Sequence, residues 1–84
     1  MQKEITVHIL LFGITKDLVG KQKLQMNLPV ATTVADFRKL LSENYPELIE
    51  LKYMAIAVNS EYAADDVVIL ANDEIAIIPP VSGG

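Results

Sequence analysis

Apolar and polar positions alternate along the opening of the chain. From Glu4 to Phe12, Ile5, Val7, Ile9 and Leu11 fall on one face of a predicted strand. Leu10 and Phe12 make the opposite face apolar as well, so the pattern predicts a central strand covered on both sides. His8 shares that second face and reads as a solvated or satisfied side chain. Gly13 to Gly20 interrupts the alternation, and Thr15 to Val19 predicts a short helical turn that stops at Gly20. Leu24, Met26 and Leu28 then alternate in a second strand, which closes a wide hairpin with the first and ends at Pro29.

The period changes after Thr33. Val34, Phe37, Leu40, Leu41 and Tyr45 recur at helical spacing and form one apolar stripe, with Arg38, Lys39, Ser42 and Glu43 facing out. Thr33 is a plausible N-cap, and Asp36, three residues on, completes a variant of the capping box. Pro46 ends this helix near Tyr45. Pro46 to Tyr53 predicts a packed connection. Tyr53 to Asn59 predicts a third strand, with Met54, Ile56 and Val58 on one face. Asn59-Ser60-Glu61 is a turn signal, and Tyr62-Ala63-Ala64 predicts a short return strand. Val67 to Leu70 predicts a strand or short turn under the sheet. Asn72-Asp73 is a turn in which Asn can take a left-handed conformation. Glu74 to Ile78 is the last strand, again apolar on both faces.

One amphipathic helix covers one face of a small mixed sheet. The first and last strands are the most hydrophobic and are expected to pair in parallel at its centre. The predicted class is α+β, a β-grasp or ubiquitin-like arrangement. Residues 1–78 form the body and residues 79–84 an extended C-terminal tail.

Composition narrows the chemistry. The 84 residues are 51% hydrophobic and 21% charged, which fits one small globular domain and not a disordered chain. Cysteine is absent, which removes disulfides, thiolate metal sites and cysteine nucleophiles. A single His makes a Ser-His-Asp triad improbable. The formal net charge of -4 disfavours nucleic acid as a partner. No apolar run is long enough for a membrane span, and the N-terminus leads straight into a strand pattern, so the expected compartment is the cytoplasm. Asp65-Asp66 and Asp73-Glu74 lack the ligand spacing of a calcium loop, and no metal site is expected. All seven basic residues precede Tyr53, while Glu61, Asp65, Asp66, Asp73 and Glu74 follow it. These acids are either ordinary solvated loops or a docking face for a basic partner.

The candidate chemistry lies in the tail. It runs Pro79-Pro80-Val81-Ser82-Gly83-Gly84. Two prolines favour a stiff, extended backbone. Glycines without side chains can enter a narrow tunnel and present the terminal carboxyl to an enzyme. Gly84 is therefore the candidate reactive residue, and Pro79, Pro80, Val81, Ser82 and Gly83 the stem inserted into a partner. Leu10, Phe12 and Ile78 are candidates for an apolar docking patch, the competing expectation being that all three lie in the core.

Two runs carry a family resemblance. Ala57-Val58-Asn59-Ser60-Glu61-Tyr62 and Leu70-Ala71-Asn72-Asp73-Glu74-Ile75-Ala76-Ile77-Ile78-Pro79-Pro80-Val81-Ser82-Gly83-Gly84 resemble the small subunit of molybdopterin synthase, the MoaD-type sulfur carrier. The opening Leu10-Leu11-Phe12-Gly13 and the later Leu18-Val19-Gly20 fit as well, and the likeness spans the whole chain. Ala71-Asn72 stands where the family often has Asp-Gly, and Lys16-Asp17 where many members carry Arg-Glu; neither departure removes the turn or the charges.

The resemblance implies that Gly84 is adenylated by an E1-like, ATP-dependent activating enzyme and converted to a thiocarboxylate. The tail would then enter the large synthase subunit, in a heterotetramer with two copies of each chain. There its sulfur would be donated to cyclic pyranopterin monophosphate to build the dithiolene of molybdopterin. The chain itself would bind no cofactor, ATP being used by the activating enzyme, and the catalytic side chains would belong to the large subunit. Three alternatives stay open: a sulfur carrier for the thiamine pathway, a ubiquitin-like modifier whose tail forms isopeptide bonds, and a plain β-grasp interaction module whose Gly-Gly is incidental.

Overall fold

The computed structural model describes residues 3–48 and 51–79, the side chain of Lys52 excepted. The elements follow in the order β1 (Glu4–Leu11), α1 (Ile14–Val19), β2 (Lys23–Pro29), α2 (Val34–Asn44), a 3-10 turn (Leu51–Tyr53), β3 (Ala55–Val58), β4 (Glu61–Tyr62) and β5 (Glu74–Ile78). The five strands make one sheet in the order β2-β1-β5-β3-β4. As the hydrophobicity of the first and last strands predicts, β1 and β5 are parallel neighbours, with His8 opposite Glu74 and Leu11 opposite Ile77. β1 also pairs antiparallel with β2, and β5 antiparallel with β3, so both central strands are hydrogen-bonded on two sides.

Period-two alternation sends Val7, Ile9 and Leu11 of β1, Leu24 and Leu28 of β2, Ile56 of β3, and Ile75 and Ile77 of β5 into the core. There they meet Val34, Phe37 and Leu41 from the helical stripe of α2, with Leu40 and Tyr45 packed at its margin. The capping box forms as expected. Thr33 Oγ1 accepts from the Asp36 amide at 3.2 Å, and Asp36 Oδ2 accepts from the Thr33 amide at 3.5 Å. α1 ends at Gly20 in the left-handed region, φ 84°, and Asn72 sits at φ 66°. Asn59 and Ser60 both have positive φ (53° and 73°). They close the β3–β4 hairpin in the mirror-image two-residue turn that matches strand twist.

Four expectations are corrected. β1 is central, yet its second face is not covered: one helix spans one side of the sheet only, and Leu10 is half-buried with His8 exposed beside it. Arg38 does not simply face outward. Its Nη1 donates to the carbonyls of Leu51 (2.9 Å) and Met54 (2.8 Å), and its Nε lies 3.4 Å from Asp65. Of the run Val67 to Leu70, only Ile69 enters the core, and Val68 makes a single bridge to Thr33. The third strand starts at Ala55, because Tyr53 closes the 3-10 turn. Among the acidic residues, Glu61, Asp66 and Glu74 are exposed. Asp65 pairs with Arg38, and Asp73 turns inward, buried, with both carboxylate oxygens accepting hydrogen bonds.

Candidate docking face and tail root

The sheet face turned away from α2 is built from every second residue of its strands. Register places Leu10 beside Ala76, Ala76 beside Ala57, Ala55 beside Ile78, and Ala57 beside Tyr62. These six side chains therefore share one face. Leu10, Ile78, Ala55 and Ala76 are half-buried, Ala57 is buried, and Tyr62 is 76% exposed. Phe12 follows the end of β1 and is 46% exposed. None of Leu10, Phe12 and Ile78 belongs to the core, so the competing core expectation for the three falls. Register brings Leu10 and Ile78 to the open side of the sheet on neighbouring strands, and Phe12 stands exposed just past the end of β1.

Tyr62 is a member of this face that sequence reasoning missed. The signal was available: a two-residue turn after Val58 fixes the register of β4 and so the side on which Tyr62 emerges. Small residues at Ala55, Ala57 and Ala76 leave the middle of the face low, while Leu10, Ile78 and Tyr62 flank it. On the β2 side the same face turns polar, since Lys23, Gln25 and Asn27 pair with Leu10, His8 and Thr6. The apolar area is thus confined to the half of the sheet from which the last strand leaves.

Phe12 is held in place by its neighbour. The buried Thr15 hydroxyl donates to the Phe12 carbonyl at 2.5 Å and accepts from the Phe12 amide at 3.1 Å. That reciprocal pair fixes the backbone between β1 and α1. β5 delivers the chain to the same end of the sheet, because β1 and β5 run parallel and end side by side. Of the candidate tail, Pro79 is the only residue among those described, and it is half-buried. Pro80, Val81, Ser82, Gly83 and Gly84 lie outside the described residues.

Among the described residues no group of three His, Asp or Glu side chains could hold a metal ion. No helix among them is long and apolar enough to cross a membrane.

Comparison with known proteins places this geometry. The model of the ThiS family matches residues 9–84. The molybdopterin synthase sulfur carrier subunit of Caenorhabditis elegans is 41% identical over 83 residues, covering 95% of this chain and 99% of that protein. Among solved structures, SAMP1 from Haloferax volcanii superposes with a TM-score of 0.84 at 26% identity, covering 94% of this chain and 99% of that one. A complex of subunits 1 and 2 of the molybdopterin-converting factor from Helicobacter pylori contains a chain with the same fold. Its TM-score is 0.68 at 24% identity, covering 95% of this chain and 100% of that one.

Proposed function

Because this chain belongs to the ThiS family, with relatives that are sulfur carrier subunits of molybdopterin synthase, we propose that it carries sulfur on its C-terminal carboxyl in the same synthesis. The observation that supports this reading is the apolar sheet face carrying Leu10, Ile78 and Tyr62, which reaches the end of the sheet where β5 gives way to the tail. A docked partner would seal that face and receive residues 79–84 in a single encounter.

The chemistry follows from the carboxylate. A carboxylate is a poor acyl donor, so Gly84 first attacks the α-phosphate of ATP on an E1-like activating enzyme and releases pyrophosphate. A sulfur nucleophile then displaces AMP from the mixed anhydride and leaves a thiocarboxylate. Seated in the large subunit, that sulfur attacks cyclic pyranopterin monophosphate, water then cleaves its bond to the Gly84 carbonyl and restores the carboxylate, and two such deliveries supply the two sulfurs of the dithiolene. Gly84 bears the sulfur, Gly83 gives clearance, and Pro79, Pro80, Val81 and Ser82 form the stem, whose backbone groups can pair with the partner. Leu10, Phe12 and Ile78 dock, with Tyr62 beside them, and two copies of each chain make the working heterotetramer. The chain holds no cofactor of its own, and the work is done in the cytoplasm.

The test is the intact mass of the protein after reaction with its activating enzyme, ATP and a sulfur source. The expected product is heavier by the exchange of one oxygen for sulfur, and deletion of Gly84 abolishes it. Recovery of Gly84 solely as an amide on lysines of other proteins would instead assign a modifier.

A further inference from the structure

Gly13 has a backbone that other residues avoid, φ 57° and ψ -132°. The turn from β1 into α1 requires some such kink. A second reason for glycine lies across the gap to the tail. A Cβ placed on Gly13 would stand 3.3 Å from Pro79 Cγ, closer than ordinary van der Waals contact. The other described glycine at positive φ, Gly20 (84°), has nothing within 4 Å of the same position. The close approach therefore belongs to the Gly13–Pro79 pair and not to positive φ in general.

The surroundings make this contact a rigid one. Gly13 follows Phe12, whose backbone the Thr15 hydroxyl holds from two sides, and Pro79 follows Ile78, which is paired to Ala55 of β3. Both partners of the contact are thus attached to fixed backbone. The proline ring also removes rotation about its own φ.

We propose that Gly13 is a positioning residue, a seat for the Pro79 ring that sets the angle at which the stem leaves the sheet. A side chain there would push the ring away by a few tenths of an ångström, and the error would be carried toward the reacting carboxyl. This inference rests on the sulfur-carrier reading for its consequence but not for its geometry.

The test is a double-mutant cycle on thiocarboxylated carriers, read as single-turnover sulfur transfer at saturating large subunit. Gly13→Ala should slow transfer by roughly tenfold, since small misplacements of reacting groups cost that much. In a Pro79→Ala background, where the ring is gone and only the backbone strain of the substitution remains, the loss from Gly13→Ala should be smaller by about threefold or more. Gly20→Ala should lower thermal stability and leave transfer within about twofold. Equal losses from Gly13→Ala in both backgrounds, or no loss in either, overturn the seat. If the thiocarboxylated carrier of native sequence transfers no sulfur at all, the functional reading falls instead. The seat is then decided in the free protein by a nuclear Overhauser contact between Gly13 Hα and Pro79 Hγ, whose absence overturns it.

Discussion

Asn59 donates from its side-chain amide to Asp73 Oδ1 at 2.9 Å, and this bond fastens the turn that follows β3 to the turn that precedes β5. The same Asn59 accepts from the Glu74 amide at 3.0 Å through its side-chain oxygen, while Asp73 Oδ2 accepts from the Leu70 amide at 2.8 Å. Three hydrogen bonds thus converge on two side chains at the start of the strand that leads to the tail. Asn59→Gly keeps a residue at ease with positive φ and removes only the side-chain bonds. We expect a loss of about 1–3 kcal/mol in urea unfolding, from the buried Asp73 carboxylate left without its amide donor and from the added freedom of glycine in the unfolded chain. An unchanged midpoint would show that water replaces the amide at no cost.

Arg38 should matter through its carbonyl partners rather than its ion pair. Arg38→Met keeps the apolar stem and strips both donors from the Leu51 and Met54 carbonyls, and the expected loss is about 1–3 kcal/mol. Asp65→Ala removes a partner whose side chain is 70% exposed, and should cost less than about 1 kcal/mol. Chemical denaturation of the two variants checks the order; a larger loss for Asp65→Ala would overturn it.

The open sheet face gives a prediction in binding. Leu10→Glu and Ile78→Glu put a charge among apolar neighbours at a docked interface, and each should weaken association with the large subunit by about 30-fold or more. Val30→Glu is the control. Val30 is exposed and lies beyond the Pro29 end of β2, at the opposite end of the sheet from the tail root. Calorimetric titration should show its affinity unchanged. If all three variants bind alike, the face is not the contact.

The capping box of α2 should be worth about 1 kcal/mol. Thr33→Ala deletes the hydroxyl that accepts from the Asp36 amide, whereas Thr33→Ser retains it. Thermal unfolding should separate the two, with Ser close to the native chain.

Much of this was legible in the residues. Alternation fixed β1, β2 and β5, because a period of two admits one core face, and Thr33 with Asp36 marked the helix start. The second face of β1 was misjudged for a physical reason: apolar residues on both faces of a strand signal burial by something, and the chain supplies a helix for one face only. Arg38 escaped notice because helical periodicity describes where a side chain starts, not how far a long one bends back to reach carbonyls. The Gly13–Pro79 approach joins residues from opposite ends of the chain, so no local pattern announces it. The docking candidates were legible as apolar positions, but Tyr62 needed the register of β4.

The strand that leads to the tail is flanked on both sides, parallel to β1 and antiparallel to β3. A pull on the chain beyond Pro79 directed along that strand therefore loads two ladders of hydrogen bonds at once, in shear, instead of opening one like a zipper. A partner that draws the stem into a narrow passage would be tugging on a strand braced from both sides, and the load would be shared across the sheet.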